Sequence, residues 1–340
     1  MTDPTLETLF LAIAETPAAS RRLFLNAREG AAFAQWRAQH GNVDCEQGFK
    51  PHADALSRAD LDVAPQVDGT FDQIWLLPSR QRAESRGLLV RALERAAPGA
   101  RVIACAANDE GARSIEADFK ALFGAAAGFS KHHCRAFWTD IDPARIDRAL
   151  AEAWREQDAP RRIADGRFLS RPGVFAWDRI DAASALLAEH LPADLAGHGA
   201  DLGCGYGFLA SEVARRCAGV VAFDVYEAQA RALDLARENL AGLGMPVTYR
   251  WHDVAQGLDG RYDFVVTNPP FHATGRADLP ELGQAFVRAA AAALRPGGRL
   301  LLVANRHLPY ERTLAEHYEA QRMLADARGF KVIIATRGSA

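Results

Sequence analysis

Short apolar runs alternate with amphipathic stretches along this chain, and the alternation repeats itself. Tyr262-Asp263-Phe264-Val265-Val266-Thr267 reads as a buried strand that runs into Asn268-Pro269. Phe71-Asp72-Gln73-Ile74-Trp75-Leu76-Leu77-Pro78 has the same pattern: an aromatic residue, an aspartate, an apolar strand, then proline. The succeeding segments repeat as well. Gly87 to Ala96 reads as a helix leading through Pro98-Gly99 to a strand over Arg101 to Ala106, and Gln284 to Leu294 leads through Pro296-Gly297-Gly298 to a strand over Arg299 to Ala304. The spacing predicts an α/β protein made of two copies of one fold. Further strands are expected over Val220 to Asp224 and Val247 to Asp253, with a helix over Tyr226 to Leu240 stopped by Leu243-Gly244. Phe330 to Ala335 reads as a terminal antiparallel edge strand. The amphipathic stretch Ala149 to Trp154 gives way to polar Gln157 to Arg162, broken by Pro160, which sets the expected domains at 1–156 and 170–340.

The second copy carries the candidate chemistry. Asp201-Leu202-Gly203-Cys204-Gly205-Tyr206-Gly207 leads into Phe208 to Arg216, where Leu209 and Val213 recur at helical spacing. In a strand, glycine loop and helix succession the glycines permit a tight turn and close backbone approach, and the helix start offers free N–H groups. The spacing is G-x-G-x-G where dinucleotide sites usually have G-x-G-x-x-G. Asp224, followed by Val225, ends an apolar run and is the expected acceptor for two ribose hydroxyls. Asp253, followed by Val254, ends the next and is the expected partner of an adenine amino group. Taken one at a time, either aspartate is equally a solvated carboxylate at a strand end. In Asn268-Pro269-Pro270-Phe271, the two prolines fix the backbone so that the Asn268 side-chain oxygen and the Pro269 carbonyl can aim as an acceptor pair at one planar NH2 group, with Phe271 stacking on its ring. The motif by itself is also compatible with a plain Pro-Pro turn.

The chain from about Arg171 onward resembles the class I S-adenosylmethionine-dependent methyltransferases, with Asp201 to Gly207 matching their first motif and Asn268 to Phe271 that of amine methylators. More narrowly it is similar to the bacterial ribosomal RNA small subunit methyltransferase C family. That likeness rests also on Pro172-Gly173-Val174-Phe175 with Asp178 and Asp181, on Val303-Ala304-Asn305 with Leu308-Pro309-Tyr310, and in the first half on Lys131 to Arg135 and Asp72 to Pro78. The resemblance implies two tandem class I methyltransferase (Rossmann-like) domains, S-adenosyl-L-methionine as cofactor, the N2 amine of a 16S ribosomal RNA guanosine as acceptor, and the small ribosomal subunit as partner. The sibling family that methylates guanine N2 in large-subunit RNA has a similar layout. Methylation of a protein glutamine amide makes the same hydrogen-bonding demands, and a ribosome-assembly factor without turnover is the non-enzymatic alternative.

The first copy lacks the parts that carry chemistry. Leu77 stands where Asn268 stands, Ser79 replaces Pro270, and Ala27-Arg28-Glu29-Gly30 has one glycine where three are expected. It is read as a degenerate domain that supports the fold or presents substrate.

Composition narrows the setting. The 340 residues are 49% hydrophobic and 24% charged, typical of a globular chain with two cores. No apolar run is long enough for a membrane span and the start Met1 to Glu7 lacks a basic leader, so a cytoplasmic protein is expected. Five cysteines without a C-x-x-C pair indicate neither a disulfide framework nor a zinc site; His132-His133-Cys134 offers only adjacent side chains, and no metal is expected. A formal charge of -3 gives no overall basic field, so RNA contact must be local. Arg276, His272 and Arg171 are the candidates for it.

Overall fold

The computed structural model describes residues 3–16, 19–270 and 280–339. Contacts divide the chain into two compact units, Met1–Ala159 with Arg171–Gly173, and Pro160–Ser170 with Val174–Ala340. The first contains the strands β1 (Arg22–Leu25), β2 (Asp44–Glu46), β3 (Val63–Ala64), β4 (Phe71–Leu76), β5 (Ala96–Ala107), β6 (Ala127–Lys131) and β7 (Cys134–Asp140). They form one sheet in the order β3-β2-β1-β4-β5-β7-β6. The second begins with a hairpin of β8 (Arg161–Ile163) and β9 (Phe168–Ser170). Its main sheet comprises β10 (Ala196–Leu202), β11 (Gly219–Glu227), β12 (Val247–Trp251), β13 (Tyr262–Thr267), β14 (Leu294–Asn305), β15 (Ala320–Ala327) and β16 (Phe330–Thr336). Its order is β12-β11-β10-β13-β14-β16-β15. The two orders follow one plan: in each the central strand comes first in the chain and the last two strands form the antiparallel end. The repeat expected from the sequence is thus a repeat of fold.

In the second sheet β12, β11, β10, β13 and β14 run parallel, and β16 and β15 pair antiparallel. The first sheet has the same division. Parallel strands must be covered on both faces. In the second unit Phe223, Val225, Phe264, Val266 and Leu301 face one core, and Ala200, Leu202, Tyr226, Val265 and Leu300 face the other. Alternate residues therefore go to opposite cores, at roughly 1.5–3 kcal/mol for each large apolar side chain buried.

Three local expectations change. Phe330–Thr336 is paired on both sides; the edge strand is Ala320–Ala327, whose exposed Gln321, Arg322 and Met323 conceal it from an apolar pattern. The strand expected to stop at Asp224 runs on to Glu227, and the following helix starts at Ala230, because Val225 and Tyr226 are both fully buried on opposite faces. The polar stretch around Arg161 is a β-hairpin of the second unit. His132 and His133 have positive φ values of 50° and 58° and form the turn between β6 and β7, a two-residue hairpin geometry.

Candidate active site

Parallel strands β10, β11, β12 and β13 bring their carboxyl ends to one edge of the second sheet. Immediately after β10, Gly203, Gly205 and Gly207 take φ values of +74°, +55° and +95°, a region costly for side-chain-bearing residues. A Cβ built at Gly205 would meet nothing within 4 Å, so the loop presents bare backbone there. The loop is held from behind. Gly203 N and Cys204 N donate to Tyr226 O at 2.9 and 3.0 Å, and Gly207 N donates to Cys204 O at 2.9 Å. Asn239 Nδ2 donates to Tyr206 O at 2.8 Å and to Leu169 O at 2.9 Å, tying the loop to the β8–β9 hairpin. The helix Phe208–Arg216 then aims its N-terminus at the same edge.

A cleft opens there, lined by Gly203, Cys204, Gly205, Tyr206, Asp181, Ser184 and Asn268, with Phe175 at 63% exposure beside them. Asn268 Nδ2 donates to Asp181 Oδ2 at 3.0 Å and to Ser184 Oγ at 2.8 Å. Both amide hydrogens are engaged, and the buried Oδ1 finds no hydrogen-bond partner among the described residues. An orphaned buried acceptor at a cleft is costly unless something donates to it, and an NH2 group fits that need. Pro269 is buried and Pro270 exposed; Phe271, His272 and Arg276 lie outside the described residues.

Two expected cofactor residues are placed elsewhere. Asp224 is 2% exposed within β11, and its carboxylate is taken up by His198 Nε2 at 2.9 Å, Arg250 Nε at 2.8 Å and Tyr262 Oη at 2.9 Å. Burial would raise its pKa, but these three donors hold it below the usual carboxylate range. Val225 is fully buried in the core. The acidic group at the strand's end is Glu227. Its Oε2 accepts from Gly205 N and its Oε1 from Gln229 N, both at 2.8 Å, and desolvation pushes its pKa up. A sequence signal for it exists: Glu227 stands 20 residues after Gly207, whereas Asp224 stands closer.

Asp201 is fully buried under the glycine loop. Its Oδ2 accepts from Ala210 N at 3.2 Å, Oδ1 has no partner among the described residues, and burial raises the pKa to about 8. Cys204 is buried, with its thiol against Gly205 O at 3.5 Å. Asp253 follows β12 and caps the turn Val254–Gln256 through Ala255 N at 3.0 Å, while Val254 is buried. Arg171 is grouped with the first unit, where it donates to Asp158 Oδ2 at 2.5 Å. Among the described residues no cluster of three His, Cys, Asp or Glu could hold a metal, and no helix is long and apolar enough to cross a membrane.

A seven-stranded sheet of this topology, with a three-glycine loop after its central strand and an Asn-Pro-Pro turn after the neighbouring strand, defines a class I methyltransferase fold. Residues 165–334 match the methyltransferase small domain family model. The ribosomal RNA small subunit methyltransferase C of Sodalis glossinidius is 31% identical over 87% of this chain and 85% of that protein. The protein of the same name from Pseudomonas entomophila is 31% identical over 62% of this chain, and that alignment spans 62% of the relative's length. Among solved structures, the T. thermophilus 16S rRNA N2 methyltransferase in complex with AdoMet and guanosine is 25% identical, covers 98% of this chain and 92% of its own, and superposes with a TM-score of 0.81. The chain belongs to the ribosomal RNA small subunit methyltransferase C family, whose members are S-adenosylmethionine-dependent.

Proposed function

We propose that this chain transfers a methyl group from S-adenosyl-L-methionine to the exocyclic N2 amine of a guanosine in 16S rRNA, acting on the small ribosomal subunit in the cytoplasm. The observation that carries the reading is the polarity of Asn268: a residue lining the cleft at the glycine loop, its NH2 anchored and its buried oxygen without a partner among the described residues. The relative solved with AdoMet and guanosine supports the same pairing of donor and acceptor.

Bound S-adenosyl-L-methionine supplies an electrophilic methyl group, so the protein's work is positioning in a site with little water. Gly203, Gly205 and Gly207 let the backbone approach the cofactor, and Glu227 takes the part of ribose acceptor that Asp224 cannot, since the Asp224 carboxylate is already filled. Asp253 and the Val254 N–H face the adenine. Asp201 supports the loop from below rather than touching ligand. Asn268 Oδ1 and the Pro269 carbonyl accept the two hydrogens of the target amine, concentrating its lone pair toward the methyl group. No prior deprotonation is needed; the proton is released from the nitrogen after transfer. Guanine N2 is inaccessible in a paired helix, so the nucleotide enters unpaired or flipped, with Phe271 replacing lost stacking and His272 and Arg276 contacting RNA. The first unit supports the second or presents substrate.

The test compares ribosomal RNA from a strain lacking the gene with RNA from the same strain carrying the wild type or Asn268→Ala, read as methylated nucleosides by mass. The reading expects N2-methylguanosine at one small-subunit position to vanish and to return only with the wild type. Appearance of the missing mark in large-subunit RNA or on protein glutamine would replace it.

A further inference from the structure

We infer that Asp181 is a positioning and specificity-determining residue: it sets which end of the Asn268 amide faces the cleft, and so restricts the acceptor to a group that donates hydrogens. The inference rests on the amine reading and deepens it. Asp181 stands at the N-cap of the helix Ala182–Glu189, where its Oδ2 accepts from Ser184 N at 2.8 Å. The same oxygen accepts from Asn268 Nδ2 at 3.0 Å, and Ser184 Oγ accepts a second bond from that nitrogen at 2.8 Å. An ionised carboxylate has only acceptor sites, so it can face the NH2 end of an amide and never the carbonyl end. The two ends of an asparagine are nearly the same size, and nothing about its shape prevents rotation by half a turn. Here the chemistry of its neighbour prevents it. Asn268 Oδ1 is thereby left as the buried, unpartnered acceptor of a residue that lines the cleft. A ligand offering a carbonyl or an unprotonated ring nitrogen would meet an oxygen instead of a donor. Guanine presents its N2 amine as a donor and O6 as an acceptor, and only the former satisfies this site.

Removal of the carboxylate tests this directly. Asp181→Ser keeps a helix cap but offers a shorter hydroxyl that donates as well as accepts, so it no longer restricts the Asn268 amide. Asp181→Asn is the conservative control: its carbonyl oxygen can keep both bonds of Oδ2, to Ser184 N and to Asn268 Nδ2. Methyl transfer by the full-length chain to small subunits from the deletion strain, and cofactor affinity by calorimetry, are measured for all three proteins. Asp181→Ser is expected to lose roughly 10- to 100-fold in kcat, the range for an unpaired buried polar group, with cofactor affinity within about threefold of wild type. Asp181→Asn is expected to keep at least about tenfold more kcat than Asp181→Ser. Three results overturn the inference: Asp181→Ser with wild-type kcat, Asp181→Ser losing cofactor binding in step with kcat, or Asp181→Asn no better than Asp181→Ser. A wild type whose product is not N2-methylguanosine in small-subunit RNA defeats the functional reading itself, a separate result visible in the same assay.

Discussion

Gln47 in the first unit occupies the register position of Glu227 in the second. Each follows the β-strand residue paired with the end of the central strand, Glu46 opposite Leu25 and Tyr226 opposite Leu202. Each accepts from the backbone N–H two residues on, Gln47 Oε1 from Phe49 N and Glu227 Oε1 from Gln229 N, both at 2.8 Å. The second atom differs in sense. Glu227 Oε2 accepts from the glycine-loop backbone, whereas Gln47 Nε2 donates to Ala27 O at 2.6 Å. Asn26, which stands where Gly203 stands, donates to the carbonyl of Leu77 at 2.7 Å, and Leu77 holds the position of Asn268. The first unit's edge thus binds itself.

This difference predicts that Glu227→Gln uncouples fold from cofactor. The chain should melt within a few degrees of wild type, while cofactor affinity by calorimetry drops roughly 10- to 100-fold, the loss of a charged acceptor to hydroxyl donors. Unchanged affinity would return the ribose to another residue.

Asp224→Ala should behave in the opposite way. It strips a buried carboxylate from His198, Arg250 and Tyr262. Breaking a buried ion pair on one side costs about 3–5 kcal/mol, and denaturant unfolding of the variant should show a loss of that order. The folded pKa of Asp224 is depressed, so its contribution is present above the unfolded carboxylate value and fades as pH falls through the lower folded value. Wild-type stability should therefore show an acid-side decline that the variant lacks. If instead the variant keeps its stability and loses only cofactor affinity, Asp224 belongs to the site after all.

The sign reverses for Asp201, whose pKa is raised to about 8 by burial. A carboxyl that holds its proton more tightly when folded contributes stability that is fully present below the unfolded value of about 4 and is lost as pH rises toward 8. Asp201→Asn should flatten that slope in cofactor-free protein. Parallel pH profiles for the two proteins would contradict the assignment.

Gly283 faces Tyr310 so closely that an added Cβ would lie 1.7 Å from the Tyr310 hydroxyl. Tyr310 is fully buried, in the segment that follows β14, and Gly283 lies in the first turn of the helix Pro280–Ala293. Gly283→Ala should cost about 1–3 kcal/mol by overpacking, despite alanine's better helix propensity, with Gly283→Ala/Tyr310→Phe recovering part of it. A stabilised single variant in thermal unfolding would show that the ring moves aside freely.

The sequence by itself determined the doubled α/β architecture, because apolar runs at strand spacing, broken by Pro-Gly turns, recur in the same order in both halves. It also determined the glycine loop and the Asn268 turn, since these need particular residue types at adjacent positions. Tertiary structure alone decided which carboxylate meets the glycine loop. Asp224 and Glu227 are three residues apart on one strand and so face opposite sides of the sheet, and periodicity cannot tell which side carries the cleft when both are buried. The polarity of Asn268 was beyond the sequence for a related reason: it is set by Asp181 and Ser184, more than 80 positions away, through contacts that exist only once the helix start reaches the end of β13.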